Sequence, residues 1–211
     1  MSTVAAVELY GDGLRGGMPL AVRRRGEAPQ LLPVHDWTLA ELPGDRSLVR
    51  RCTGPVLDVG CGPGRLTAAL TAHGRIALGV DVAPAAVALT RQRGGVALER
   101  CVFGRLPAQG RWGTALLADG NVGIGGDVVR LLRRLLGLLQ PRGSVLAEVG
   151  APGTGSGRRT VRLEQGSRVS PWFPWADLAS DDAADVAGRA GLDLRETWSD
   201  AGRHFVHLVA P

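Results

Sequence analysis

Val56-Leu57-Asp58-Val59 runs straight into Gly60-Cys61-Gly62-Pro63-Gly64, and this join limits the folds open to the chain more than any other stretch. A short apolar, β-branched run reads as a strand buried in a parallel sheet. Beyond the glycines, Leu66, Ala69 and Leu70 fall on one helix face. A strand, a glycine turn and a helix N-terminus in that order form a site for an extended, polar ligand. The glycines let the backbone approach it, and the free N–H groups of the first helical turn point at it. A plain tight turn needs one glycine; here there are three, with an acid just upstream. Asp58 is placed to accept a hydrogen bond from a cationic or hydroxylated part of the ligand.

About twenty residues later, the span of a strand–helix–strand unit, Ile76 to Val80 reads as a second strand ending at Asp81. In a doubly wound sheet that position faces the crevice, where a carboxylate can take both hydroxyls of a ribose. Asp81 also suits the start of the next helix, because Pro84 fits a first helical turn, and the two roles are compatible.

Val56 to Thr67, followed by Asp81, closely resembles the cofactor-binding motif of class I S-adenosylmethionine-dependent methyltransferases, with the spacing Asp58-x-Gly60-x-Gly62-x-Gly64. A nicotinamide-binding fold more often shows Gly-x-Gly-x-x-Gly without that acid. Leu131 to Leu139, Gln140-Pro141-Arg142-Gly143 and Ser144 to Glu148 are similar to that family's helix, Pro-Gly turn and fifth strand. The resemblance implies a doubly wound α/β fold: a mostly parallel seven-stranded sheet with an antiparallel last strand. It implies S-adenosylmethionine as cofactor, held by Asp58, Gly60, Cys61, Gly62, Gly64, Asp81 and Val82. Many members carry an acid for the adenine amino group where this chain has Val102, which leaves the backbone of Val102 and Phe103, with the Phe103 ring against the adenine. After the fourth strand, Asp119 and Gly120 fall beside the transferable methyl group. The Asn/Asp-Pro-Pro-aromatic and Pro-Cys signatures of nucleic-acid methyltransferases are missing at that point.

Composition narrows the reading further. At 211 residues the chain suits one domain. All 25 basic residues are Arg, and with 31 Gly this reads as a usage bias, so a net charge of +5 argues only weakly for a nucleic-acid partner. Arg23-Arg24-Arg25 is short and has no interleaved aromatics. The absence of Lys excludes Schiff-base chemistry. Cys52, Cys61 and Cys101 form no pair or metal-ligand cluster, and Cys61 reads as a small spacer inside the turn. Neither a membrane-spanning run nor a signal pattern is apparent, so a cytoplasmic protein without membrane or nucleic-acid partners is expected.

In chain order, residues 1–53 read as an N-terminal cap and 54–211 as the Rossmann-like domain, with an insertion at about 151–176. In the cap a small hairpin is expected around Arg23 and Gly26, a helix N-cap at Thr38, and a short helix over Asp45 to Arg51. Folded over the crevice as the family's leaders often are, the cap offers Tyr10, Arg15 and Trp37 to the substrate. Helices are expected over Ala85 to Arg93 and Leu131 to Leu139, the latter opened by Asp127. Strands are expected at Val96 to Glu99 and at Thr114 to Ala118, the latter placing Asn121 toward the substrate. Val161 to Glu164 and Arg168-Val169 suggest a hairpin. The aromatic stretch after it offers Trp172 and Trp175 for stacking a flat or apolar acceptor. Ser180 suits the N-cap and Gly191 the stop of a last helix over Asp181 to Ala190, before two closing strands. A hydroxyl acceptor needs a base, for which His35 is the first candidate and His204 the second; an amine acceptor needs none. The expected activity is methyl transfer to a small molecule, with a non-catalytic S-adenosylmethionine-binding protein or a nicotinamide-dependent oxidoreductase as alternatives.

Overall fold

The computed structural model describes residues 1–211. The leader contributes β1 (Ser2–Thr3), α1 (Ala6–Leu14), β2 (Ala21–Arg24), β3 (Gln30–Leu31), α2 (Val34–Trp37) and α3 (Asp45–Arg51). Strands and helices then alternate: β4 (Val56–Val59), α4 (Arg65–Ala72), β5 (Ala77–Asp81), α5 (Pro84–Gln92), β6 (Ala97–Glu99), β7 (Trp112–Leu117), α6 (Val128–Leu136) and β8 (Leu139–Val149). The remainder is β9 (Gly157–Gln165), β10 (Arg168–Val169), β11 (Phe173–Asp177), α7 (Ala183–Ala190), β12 (Asp193–Asp200) and β13 (Arg203–Val209).

Seven strands form the main sheet in the order β12-β13-β8-β7-β4-β5-β6. Only β13 runs antiparallel to its neighbours, β12 and β8. This is the doubly wound, mostly parallel sheet with an antiparallel last strand that the glycine motif implied. Every residue of β4 and β5 is buried, as expected of strands covered on both faces. On one face Leu57, Val59, Leu117 and Ala147 meet Leu131, Leu132 and Leu135 of α6 and Ala183 and Ala187 of α7. On the other, Val56, Leu116 and Phe205 meet Leu48 of α3 and Leu66 and Leu70 of α4. Strand order reverses at β4, with β5 on one side and β7 on the other, so the crevice opens at their C-terminal ends.

A second sheet joins the N-terminal leader to the insertion after β8. β9 pairs along one edge with β2, Ala21 opposite Glu164 through Arg24 opposite Val161. Along its other edge it pairs with β10 and β11. β1 lies parallel to β10, and β3 completes the expected hairpin with β2. Cap and insertion, legible in the sequence as two segments, are one structure.

Several local expectations are corrected. Thr38 ends α2 instead of starting a helix, with its hydroxyl donating to the His35 carbonyl at 2.7 Å; Pro43 disfavours helical backbone at Leu42. Ser180 caps nothing with its side chain, and a 3₁₀ turn over Ser180–Asp182 precedes α7. β8 begins at Leu139, through the Pro-Gly segment, with a register shift opposite Trp112 and Thr114. Phe173–Asp177, interrupted by Pro174, is an edge strand paired only with β9, the position where a strand tolerates proline.

Candidate active site

Between the two sheets lies a cavity of about 850 Å³. Its floor is the glycine turn and the ends of β4, β5 and β7; its roof is α1, α2 and the inward face of the second sheet. The roof is apolar because alternation along β9 turns Val161 and Leu163 inward, as it does Val22 on β2 and Phe173 and Trp175 on β11.

Asp58, at the end of β4, is 2% exposed and accepts a hydrogen bond from Thr67 Oγ1 at 2.6 Å. Burial is the main cause that pushes its carboxyl up to about 6; Thr67 opposes the shift and the Asp119 charge adds to it. Asp81 accepts from the backbone N–H of Gly62 at 3.0 Å and of Ala83 at 2.8 Å, tying the glycine turn to the start of α5. Its carboxyl also lines the cavity, raised above the ordinary range by burial against those backbone donors. Gly60, Cys61, Gly62, Val82, Val102 and Gly120 line the same wall. The Cys61 thiol is buried beside Thr90 at 3.6 Å and pushed well up, by burial first and then by Asp58 and Asp81, so its thiolate is disfavoured.

Asp119 sits just past β7 with a positive φ of 54°, unusual for a residue with a side chain. An ionic cluster holds it there. Arg65, the first residue of α4, reaches Asp45 of α3 with one nitrogen and Asp119 with another. Arg203 reaches Asp45 at 2.8 Å and Glu148 at 2.7 Å, and Glu148 accepts the Asp119 N–H at 2.7 Å. Burial raises the Asp119 carboxyl and Arg65 pulls it back. Asn121 donates to the Gly60 carbonyl at 2.8 Å, joining the loop after β7 to the glycine turn.

Some expected contacts fall elsewhere. Gly64 faces Thr90 behind the turn, where a Cβ would lie 2.6 Å from Thr90 Cα, so it serves the packing of α4 on α5. Phe103 packs against Gly125 under the Arg130 guanidinium, 4.5 Å from the ring centre, outside the cavity. Arg15 is held by Asp12 at 2.7 Å on the outer surface. Trp172 lies on the outward face of the second sheet between Arg25 and Arg162. His35 is exposed, since Val34 and Trp37 take the inward side of α2. His204, opposite Val149 on β13, also does not line the cavity. Tyr10 and Trp37 do, packed edge to face at 6.1 Å; a methyl group on Gly62 would come within 3.1 Å of the Tyr10 hydroxyl. Trp175 and Asn121 line it too.

Sequence reasoning missed Arg65, Arg24, Phe173 and Asp177, all of which line the cavity. Arg65 carried a signal, because a cation in the first turn of a helix opposes the helix dipole and calls for acidic partners.

The floor suits a cofactor with a cationic, hydroxylated adenosyl group and an amino-acid tail. Arg65 Nε is buried in the cavity wall without a hydrogen-bond partner, a donor awaiting an anionic group. Asp58 is a buried carboxylate for a cationic one.

Residues 56–143 match the family model described as "Methyltransferase domain". A search of curated proteins found no match. Among solved structures, a methyltransferase from Bacteroides fragilis with bound S-adenosyl-L-homocysteine superposes with a TM-score of 0.79 at 21% identity, covering 100% of this chain and 98% of that one. The CcbJ methyltransferase from Streptomyces caelestis gives 0.60 at 18% identity over 81% of this chain and 94% of its own. The 1,6-didemethyltoxoflavin-N1-methyltransferase from Burkholderia thailandensis gives 0.55 at 19% identity over 79% of this chain and 76% of its own. Residues 56–143 are thus similar to a methyltransferase domain, and the whole chain shares the doubly wound, Rossmann-like α/β fold of these solved methyltransferases.

Proposed function

We propose that the protein is an S-adenosylmethionine-dependent methyltransferase that methylates a nitrogen of a small, flat or apolar molecule. The observation that carries this reading is the makeup of the cavity wall: it holds no histidine, and the chain has no lysine. Tyr10 is a poor base here, because burial and then the Asp81 charge hold its phenol well above the ordinary value, so it stays protonated. Asp119 is engaged by Arg65 and Arg203. An acceptor arriving as a neutral amine or ring nitrogen needs no base before attack, whereas a hydroxyl does.

The cofactor supplies an electrophilic methyl group on a sulfonium. The chain supplies placement. Asp58, Gly62 and Asp81 form the cofactor wall, and Arg65 Nε is offered to the anionic end. Trp175, Phe173 and Leu163 form a dry wall opposite, against which a flat acceptor stacks. Fixing both reactants in line and excluding water accounts for much of such an enzyme's rate. Three of the similar structures are N-methyltransferases, of a glycopeptide, of a sugar and of 1,6-didemethyltoxoflavin, which supports a nitrogen acceptor. We further place Asp119, Gly120 and Asn121 at the junction of cofactor and acceptor.

Calorimetry with S-adenosylhomocysteine and with NADH tests the cofactor reading: the first binds and the second does not. Methyl-transfer screening of amine, N-heterocycle and phenol libraries with labelled cofactor tests the acceptor. Turnover confined to phenols overturns the nitrogen assignment, and tight cofactor binding with no acceptor in any class favours a non-catalytic binder.

A further inference from the structure

The acceptor wall is mostly apolar and carries charge at one place. Arg24, two residues beyond Val22 on β2 and so on the same face, turns into the cavity. Its Nη2 lies 3.2 Å from Asp177 Oδ1 on β11, and Arg159 of β9 takes the other carboxylate oxygen through Nε at 3.0 Å. Two guanidinium groups therefore share one carboxylate, which leaves one positive charge unmatched. Arg159 neutralises Asp177 from outside the cavity lining, whereas Arg24 lines it and makes one side-chain hydrogen bond, to Asp177. Of the neighbouring cations, Arg158 pairs with Asp127, and Arg23 and Arg162 share Glu164 on the outward face, away from the cavity. The next cation lining the cavity, Arg100, donates to the Glu99 carbonyl.

We propose that Arg24 is a specificity-determining residue that binds a carboxylate, or a comparable oxyanion, on the acceptor, at the end of the molecule remote from the methylated nitrogen. This rests on the methyltransferase reading above. The acceptor class is then a flat or apolar amine or N-heterocycle bearing an acid group. A planar guanidinium with unspent donors suits a carboxylate through paired hydrogen bonds. Asp177 sets its orientation, and Arg159 keeps Asp177 from cancelling its charge.

The test uses the full chain and two matched pairs of probes, 4-aminobenzoate with 4-aminobenzamide and indole-3-acetate with indole-3-acetamide, with 4-aminobenzylamine as a cationic control. S-adenosylhomocysteine is titrated first, and its binding reports on the cofactor reading alone. Probe affinity is then measured with and without it. The acids bind about tenfold tighter than their amides, as a charge-assisted pair at a half-exposed site allows. Arg24→Gln reduces that preference to within about twofold and leaves S-adenosylhomocysteine affinity unchanged. Added salt weakens the acid preference of the parent. Amides binding as well as acids, a preference that survives Arg24→Gln, tighter binding of the cationic control, or no probe binding at all overturns the proposal. Loss of S-adenosylhomocysteine affinity in Arg24→Gln would assign Arg24 to the cofactor and overturn it as well.

Discussion

Arg65 and Asp45 form an ion pair in which each side chain is less than 5% exposed, and it fastens the helix after the glycine turn to the helix that leads into the first strand of the main sheet. The same aspartate accepts from Arg203 on the last strand. A charge so placed is costly to strand. Replacing Asp45 by Asn leaves two guanidiniums short of a partner, and a loss of about 3–5 kcal/mol in urea unfolding is expected. A loss below about 1 kcal/mol would mean that the pair behaves as a surface pair.

Through Asp58, cofactor affinity is expected to depend on pH. Its folded-state value of about 6 lies above the ordinary aspartate value, so between about pH 4 and 6 the folded state binds more protons and stability falls as pH rises through that window. A bound cation favours the ionised form. Affinity for S-adenosylmethionine should therefore fall about tenfold from pH 7 to pH 5 and level off above pH 7. Asp58→Asn should flatten the profile, as read by calorimetry; an unchanged profile in that variant would remove Asp58 from the cofactor site.

Gly123 has no room for a side chain. A Cβ there would collide with the indole nitrogen of Trp175 and the Ala176 carbonyl, because β11 lies directly on the loop after β7. Gly123→Ala should push β11 outward at a cost of about 1–3 kcal/mol, lower acceptor turnover and spare S-adenosylhomocysteine binding. Thermal unfolding and binding, measured side by side, check both halves.

Two pairs of substitutions separate cavity residues from bystanders. Trp175→Ala should raise the acceptor KM by about tenfold or more through lost stacking, and Trp172→Ala should leave it within about twofold. Neither His35→Ala nor His204→Ala should change kcat by more than about twofold, across pH 6 to 9. A tenfold fall in either histidine variant would restore a protein base to the mechanism.

What could be read from residue order alone divides along physical lines. The main sheet was legible because β4 and β5 are short, mostly apolar runs leading into a glycine turn or an acid, signals that depend only on neighbours in sequence. The cavity floor was legible for the same reason, with Asp58, Gly62 and Asp81 within 24 residues of one another. The roof was not. Arg24 and Asp177 stand 153 residues apart, and their meeting depends on the pairing of β2 and β11 with opposite edges of β9. His35 and Arg15 were misplaced because residue type suggests chemistry, whereas the helix turn decides direction.

The shared strand β9 has a consequence for how this enzyme could change its substrate. The roof over the cavity is woven from two segments far apart in the chain, so exchanging either the opening segment or the insertion alone would leave a strand without its neighbour. A chimaera with new acceptor preference would need both pieces from one donor, transplanted together, while the floor beneath could stay as it is.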